Sequence, residues 1–342
     1  MSTNLRLAIV GGATLKGREL ASVLNEYNFP ARDIRLLDDD ESLGQLEAMG
    51  DEVTFVQSVT PEQFENVDVA FFASDQAFTE RTWGLARDAG SAIVDLSYGL
   101  EKEPGAIVRS PWLERELVRP LTPELQPAPV IVAHPAAVVL ALLLVRAQKT
   151  GAIRTAAATV IEPASERGRR GMDELHEQTV SLLSFRELPK QVFDAQVAFN
   201  LIAQCGAAAK PSLAVIEKRI RSHFDSITAG VAPRPALQLL QGPSFHAHVL
   251  ALYLEMESKV AVRDLAAALA GEHIGVVTQA EETPSNVNAA GQDQVLLTVR
   301  QDEEAGRGFW LWAAADNLRV SSLNATECAK SVAASRPRGK VQ

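Results

Sequence analysis

Cysteine is nearly absent: Cys205 and Cys328 are alone in 342 residues. At most one disulfide could form, so a disulfide-stapled secreted scaffold is excluded. Basic surplus is lacking too, with 33 Lys and Arg against 43 Asp and Glu for a net charge of −10. A broad nucleic-acid or anionic-membrane face needs the opposite balance, so neither partner is expected. No basic segment leads into an apolar core at Met1-Ser2-Thr3-Asn4-Leu5, so no signal peptide is expected. The longest apolar run, Val130 to Val145, is broken by His134 and Pro135 and is too short to span a bilayer. These absences predict a cytoplasmic, soluble protein. With 21 Gly and 17 Pro, collagen-like and low-complexity readings fall away, and no internal repeat is visible.

What is present alternates. Leu5–Val10 is a short apolar run ending in Gly11-Gly12, and Gly17–Tyr27 then places Leu20, Val23, Leu24 and Tyr27 at helical spacing. Further strands are predicted at 34–37, 53–59, 67–72 and 92–96, with a helix over 78–89. Continuous apolar strands separated by helices predict a parallel sheet covered on both faces, and a glycine turn after the first strand suits a dinucleotide-binding domain. A strand at 130–133 and a helix at 135–149 follow. The second half predicts strands at 155–161, 248–256 and 294–299, and helices at 169–183, 192–202 and 213–223. Residues 336–342 read as a frayed tail.

Several segments together resemble the aspartate-semialdehyde dehydrogenase family. Leu7 to Leu20 is similar to its opening strand, glycine turn and helix; Ala198-Phe199-Asn200-Leu201-Ile202 resembles its Ala-Phe-Asn-Val-Ile; Asn288–Asp293, Leu311-Trp312 and Ala315-Asp316-Asn317-Leu318-Arg319 resemble its C-terminal block. The likeness runs in order over nearly the whole chain. It implies an α/β fold: a Rossmann-like NAD(P)-binding domain over 1–132, to which 318–336 returns as the last helix, and an α/β dimerisation domain over 133–317. A homodimer is implied with it.

The resemblance also implies a chemistry, and the residues depart from it. Active members attack the aldehyde with a Cys in Asn-Pro-Asn-Cys, because a thiolate is both a strong nucleophile and a good leaving group. This chain reads His134-Pro135-Ala136-Ala137, and the nucleophile's position is Ala137, whose methyl cannot form a thioester. Cys205 and Cys328 lie elsewhere and read as packed structural thiols. His248, in Ser244-Phe245-His246-Ala247-His248, falls on the acid/base position, where imidazole suits proton transfer. Substrate-anchoring positions of the family align with Glu101, where a phosphate-gripping Arg is implied, with Gln241, where a carboxylate-pairing Arg is implied, and with Glu162, where a substrate-orienting Gln is implied. His246 and His248 could share one strand face and hold a metal. No third ligand stands at a recognisable spacing, so no metal is expected.

On the cofactor side the resemblance points to Gly11, Thr14, Gly17, Glu41 and Asn317. Gly11 can make the tight turn and Gly17 the close helix–strand approach, while Thr14 stands where a glycine lets amides reach the pyrophosphate. Glu41, in an acidic run that also reads as a solvated loop, replaces an Arg implied for the 2′-phosphate, so NADP is disfavoured and NAD remains as a weak ligand. The leading expectation is a Usg-type paralogue without dehydrogenase activity. The alternatives are an NAD-dependent oxidoreductase with an altered substrate and an NAD-binding sensor. The small-molecule ligand is not legible.

Overall fold

The alternation of apolar strands and amphipathic helices becomes two compact units in the computed structural model, which describes residues 5–39, 44–49, 52–118, 128–278 and 283–335. One unit takes the described residues up to Ala133 together with those from Ser321 onward; the other is His134–Val320.

The first unit opens with β1 (Leu5–Val10), α1 (Leu15–Glu26), β2 (Ala31–Asp38), β3 (Leu46–Met49), β4 (Glu52–Phe55) and β5 (Gln57–Ser58). It continues through β6 (Val69–Phe72), α2 (Gln76–Asp88), β7 (Ala92–Asp95), β8 (Ile107–Arg109), α3 (Pro111–Glu116) and β9 (Val130–Val132). Seven strands form one parallel sheet in the order β5-β2-β1-β6-β7-β9-β8, while β3 and β4 pair as a separate hairpin. Because successive side chains point to opposite faces, Leu7 and Ile9 enter one core with Val69 and Phe71, and Ala8 and Val10 enter the other with Ala70 and Phe72. A strand buried on both faces has to be apolar throughout, which is why these runs do not alternate.

The second unit contains α4 (Pro135–Ala147), β10 (Ile153–Glu162), α5 (Gly168–Leu183), α6 (Leu213–Thr228), β11 (Ala236–Gln241) and β12 (His248–Met256). After these come α7 (Val262–Leu269), β13 (Ile274–Val276), α8 (Asn286–Ala289), β14 (Val295–Gln301) and β15 (Gly308–Ala315). Its six-stranded mixed sheet runs β11-β10-β12-β15-β14-β13. The long apolar run resolves into β9 and α4, and every residue of α4 is buried, as expected of a helix apolar on nearly every side, with Arg146 donating from Nη1 to Leu269 O at 2.9 Å. No helix among the described residues is long and apolar enough to cross a membrane. Across the sheet, Tyr253 pairs with Trp310 and Ala251 with Trp312, and Trp310 and Trp312 remain 41% and 37% exposed. The final helix, α9 (Asn317–Ser335), returns the chain to the first unit, where Ala325, Cys328, Ala329 and Val332 join the core with Leu20 and Leu24.

One predicted helix is absent. Residues 192–202 are irregular, because α5 side chains take the amides a helix would use. The Glu174 carboxylate accepts from Val192 N–H at 2.6 Å and Phe193 N–H at 3.1 Å, and Gln178 Oε1 accepts from Val197 N–H at 2.8 Å and Ala198 N–H at 3.1 Å. Asp194 and Phe199 adopt positive φ, which interrupts any helix. The predicted strand over 53–59 is split into β4 and β5, and β3, β8, β11, β13, β15, α3, α7 and α8 were not predicted. The acidic run around Glu41 and the tail at 336–342 lie outside the described residues.

Candidate functional site

In the second unit the ends of four strands converge on one edge of the sheet. Parallel pairing sets Glu162, the last residue of β10, opposite Gln241, the last of β11. The antiparallel neighbour β12 begins there with His248, which pairs with Ala315 at the end of β15. Asp316 then caps α9, accepting from Leu318 N–H at 2.9 Å and Arg319 N–H at 3.0 Å. Three strands that end together and one that begins there concentrate side chains distant in sequence.

The start of α4 joins this edge. His134 is its N-cap, and its Nδ1 accepts from Ala136 N–H at 3.3 Å, while His134 N–H donates to His223 Nδ1 at 2.9 Å. The His134 and His248 rings lie 5.6 Å apart, centre to centre. Ala137, the aligned nucleophile position, sits in the first turn of α4 with no exposed surface. Glu162 is likewise 0% exposed, and His134 and His248 are 1% exposed. One donor atom from each of His134, Glu162 and His248 lies within 4.8 Å of the others. A carboxylate withdrawn this far from water must be compensated by a proton, an imidazolium or a cation.

Around this group the chain is pinned. Ala164 N–H donates to Ser244 O at 2.8 Å and Ser165 N–H to Phe245 O at 2.9 Å, tying the turn after β10 to the bend before β12. Asn317 Oδ1 accepts from Ser165 Oγ at 3.0 Å and Ala247 N–H at 3.2 Å, and Asn317 Nδ2 donates to Glu166 Oε1 at 2.9 Å. Glu166 Oε2 stands 4.0 Å from His134 Nε2. The Gln241 amide donates to Glu162 O at 2.9 Å and Gly242 O at 3.0 Å, so it braces backbone.

Neither cysteine is prepared for nucleophilic work. Burial pushes the Cys328 thiol up to about 12, and the neighbouring Arg109 does not offset it. Cys205 is also raised, chiefly by burial, although Arg167 stands beside it and donates to its Sγ at 3.7 Å. Both stay protonated thiols near neutrality.

In the first unit the glycine turn is tight and filled from within. Gly11 has φ +87°, and a Cβ there would fall 2.4 Å from Ser74 N; one at Gly17 would fall 2.0 Å from Gly11 O. Only glycine lets α1 approach β1 this closely. Thr14 Oγ1 caps α1 by accepting from Gly17 N–H at 3.0 Å and faces Gly11 O at 2.8 Å and Ala73 O at 3.0 Å. Asp38, the last residue of β2, accepts from Ala13 N–H at 2.9 Å through Oδ2. Two turn amides that an anion could use are thus committed to internal acceptors, and burial raises the Asp38 carboxyl. Glu101 is exposed in the turn after β7, a turn shaped by Asp95, whose Oδ1 accepts from Ser97 N–H at 2.7 Å and whose Oδ2 accepts from Leu100 N–H at 3.0 Å.

Ala137, Glu162, Gln241, His248 and Asn317 therefore belong to the second unit, and Gly11, Thr14, Gly17 and Glu101 to the first. Asn317, aligned with a cofactor position, spends both ends of its amide on Ser165, Ala247 and Glu166. His246 does not share a strand face with His248: it lies in the bend before β12. The partners of His248 are His134 and Glu162, which sequence spacing could not connect. Asp38 and Glu166 were also missed; for Asp38 the available signal was its place at the end of β2.

Comparison with known proteins bears on this arrangement. A semialdehyde dehydrogenase NAD-binding domain matches residues 6–130, and a semialdehyde dehydrogenase dimerisation domain matches 144–320. A USG-1 protein homolog of Pseudomonas aeruginosa is 31% identical over 331 residues, covering 95% of this chain and 96% of that protein. The aspartate-semialdehyde dehydrogenase of Rickettsia bellii is 26% identical over 96% of this chain and 98% of its own length. Among solved structures, a probable aspartate-semialdehyde dehydrogenase from Pseudomonas aeruginosa superposes with a TM-score of 0.86 at 28% identity, covering 96% of this chain and 98% of that one.

Proposed function

Because the chain belongs to the semialdehyde dehydrogenase family, we propose that it keeps the family's two-domain, homodimeric frame without its dehydrogenase cycle. Ala137 carries this reading: a buried methyl in the first turn of α4 occupies the aligned place of the attacking thiolate. Covalent acyl transfer has no route through it, and the two cysteines, both raised in pKa, offer no substitute. The aligned anchors support the same reading, since Glu101 sets a carboxylate and Gln241 a committed amide where cations would grip anions.

NAD, if bound, is held weakly, and NADP more weakly still. Asp38 and Thr14 already take turn amides, and the acidic β2 end opposes a 2′-phosphate. A second copy of the chain is the assembly partner, seated on the sheet face that carries Trp310 and Trp312.

The test is an assay with aspartate semialdehyde, phosphate and NADP or NAD. No thioester and no phosphate-dependent reduction are expected, because losing a catalytic nucleophile removes on the order of 10⁶ in rate. Ala137→Cys alone is expected to stay inactive, since the anchors remain altered. Robust turnover by the wild type overturns the reading.

A further inference from the structure

We propose that His134, Glu162 and His248 form a binding site for a divalent first-row transition metal ion. The three come from the N-cap of α4, the end of β10 and the start of β12, and all are at most 1% exposed. One donor atom of each lies within 4.8 Å of the other two, so the side chains must draw inward to reach the roughly 2.0–2.2 Å metal–ligand distances of a common ion. Two imidazoles and one carboxylate are a ligand set shared by zinc sites with an open position and by non-haem ferrous sites.

Electrostatics favours the ion. An ionised carboxylate with no exposed surface is costly in a low-dielectric interior, and a divalent cation at its oxygens offsets that cost directly. The surroundings supply an outer carboxylate: Glu166 Oε2 is 4.0 Å from His134 Nε2 and is oriented by Asn317 Nδ2 at 2.9 Å from its other oxygen. Whichever ring nitrogen of His134 takes the metal, the contact from Ala136 N–H is given up. Ligation at Nδ1 uses that lone pair, and ligation at Nε2 moves the ring proton onto Nδ1. At 3.3 Å the contact is a weak one. Because the cluster is enclosed, the ion enters as the chain folds rather than by exchange at a surface. The site stands apart from the proposal on dehydrogenase chemistry, and its test reads metal rather than turnover.

The full chain, freed of any affinity tag, is to be assayed for bound metals by mass spectrometry as purified. It is then unfolded with chelator and refolded with Zn²⁺, Fe²⁺ or Co²⁺ supplied singly. One equivalent per chain is expected, with the preferred ion separating a zinc site from a ferrous one and Co²⁺ giving visible ligand-field bands. Glu162→Gln and His248→Ala lose the equivalent, whereas His246→Ala keeps it. If the first two variants do not fold, X-ray absorption on the wild type decides, with two imidazoles and a carboxylate oxygen expected around the metal. A wild-type protein that takes up only a small fraction of an equivalent under all three ions refutes the site. So does metal that survives Glu162→Gln in a folded protein, or a sulfur ligand in the absorption data.

Discussion

Asn317→Ala separates a residue that binds cofactor from one that holds the fold. Its amide joins three groups of the second unit: Ser165 Oγ at 3.0 Å, Ala247 N–H at 3.2 Å and Glu166 Oε1 at 2.9 Å. Asn317 and Ala247 have no exposed surface, and Ala247 has φ +67°, a conformation its neighbours must enforce. Removing the acceptor leaves the Ala247 amide buried without it, at about 1–3 kcal/mol, and removing the donor to Glu166 forfeits a charge-assisted bond of about 1.5–3 kcal/mol. Ser165 can rotate its hydroxyl, so its share is about 1 kcal/mol or less. Water entering the space recovers part of this, and a net loss of about 3 kcal/mol is expected, or roughly two decades in the folding constant. Guanidinium unfolding followed by tryptophan fluorescence reads it, with Trp310 and Trp312 reporting on the affected unit. NAD affinity is expected not to change. Asn317→Asp adds a carboxylate beside Glu166, so the pair retains a proton more tightly when folded than when unfolded. Stability present in acid is therefore lost as pH rises, and this variant should be more damaged at about pH 8 than at about pH 5. A loss below about 1 kcal/mol for Asn317→Ala, or a fall in NAD affinity at unchanged stability, refutes the structural role.

Gln178→Leu removes the acceptor of Val197 N–H and Ala198 N–H, both buried, and should cost about 2–4 kcal/mol. Amide exchange at those two residues should then accelerate by one to three decades or so, and unchanged protection there would contradict the reason given for the missing helix. Burial raises the Asp38 carboxyl above its ordinary 3.8, so the folded state holds that proton more tightly and loses stability as pH climbs. Asp38→Asn should accordingly raise the melting temperature near neutrality and leave it unchanged near pH 3, about where both states are protonated; an equal shift at both values would count against it. Light scattering of the wild type should report about twice 36.9 kDa, and Trp310→Glu should aggregate or express poorly. A stable wild-type monomer at tens of micromolar, or a well-behaved Trp310→Glu dimer, would remove that face from the interface.

Local chemistry was enough for much of this protein. Uninterrupted apolar stretches are suited to burial on both faces, so the parallel sheet of the first unit was legible from Leu7–Val10, Val69–Phe72 and Ala92–Val94. The turn at Gly11 and Gly17 was legible for a similar reason, because close backbone approach admits no side chain. Ala137 was readable only as a methyl at the position that the resemblance aligns with a nucleophile, and a methyl has no lone pair in any fold. Other features depended on distant groups. Residues 192–202 have helical periodicity, yet Glu174 and Gln178 on α5 outbid the helix for their amides. Asp38 looks like any acid at a strand end until the fold turns it onto Ala13 N–H. His134, Glu162 and His248 sit in three unrelated stretches of chain, and no spacing rule links them. They meet because β10 and β12 are antiparallel and in register, which sets the end of one against the start of the other, and because α4 begins at that same edge. Periodicity and residue type act over a turn of helix or a pair of strand positions, so the sequence alone determined most strands and helices of the first unit and the glycine turn. Which buried charges share a dielectric environment is decided by strand order and register, and only the tertiary structure contains those.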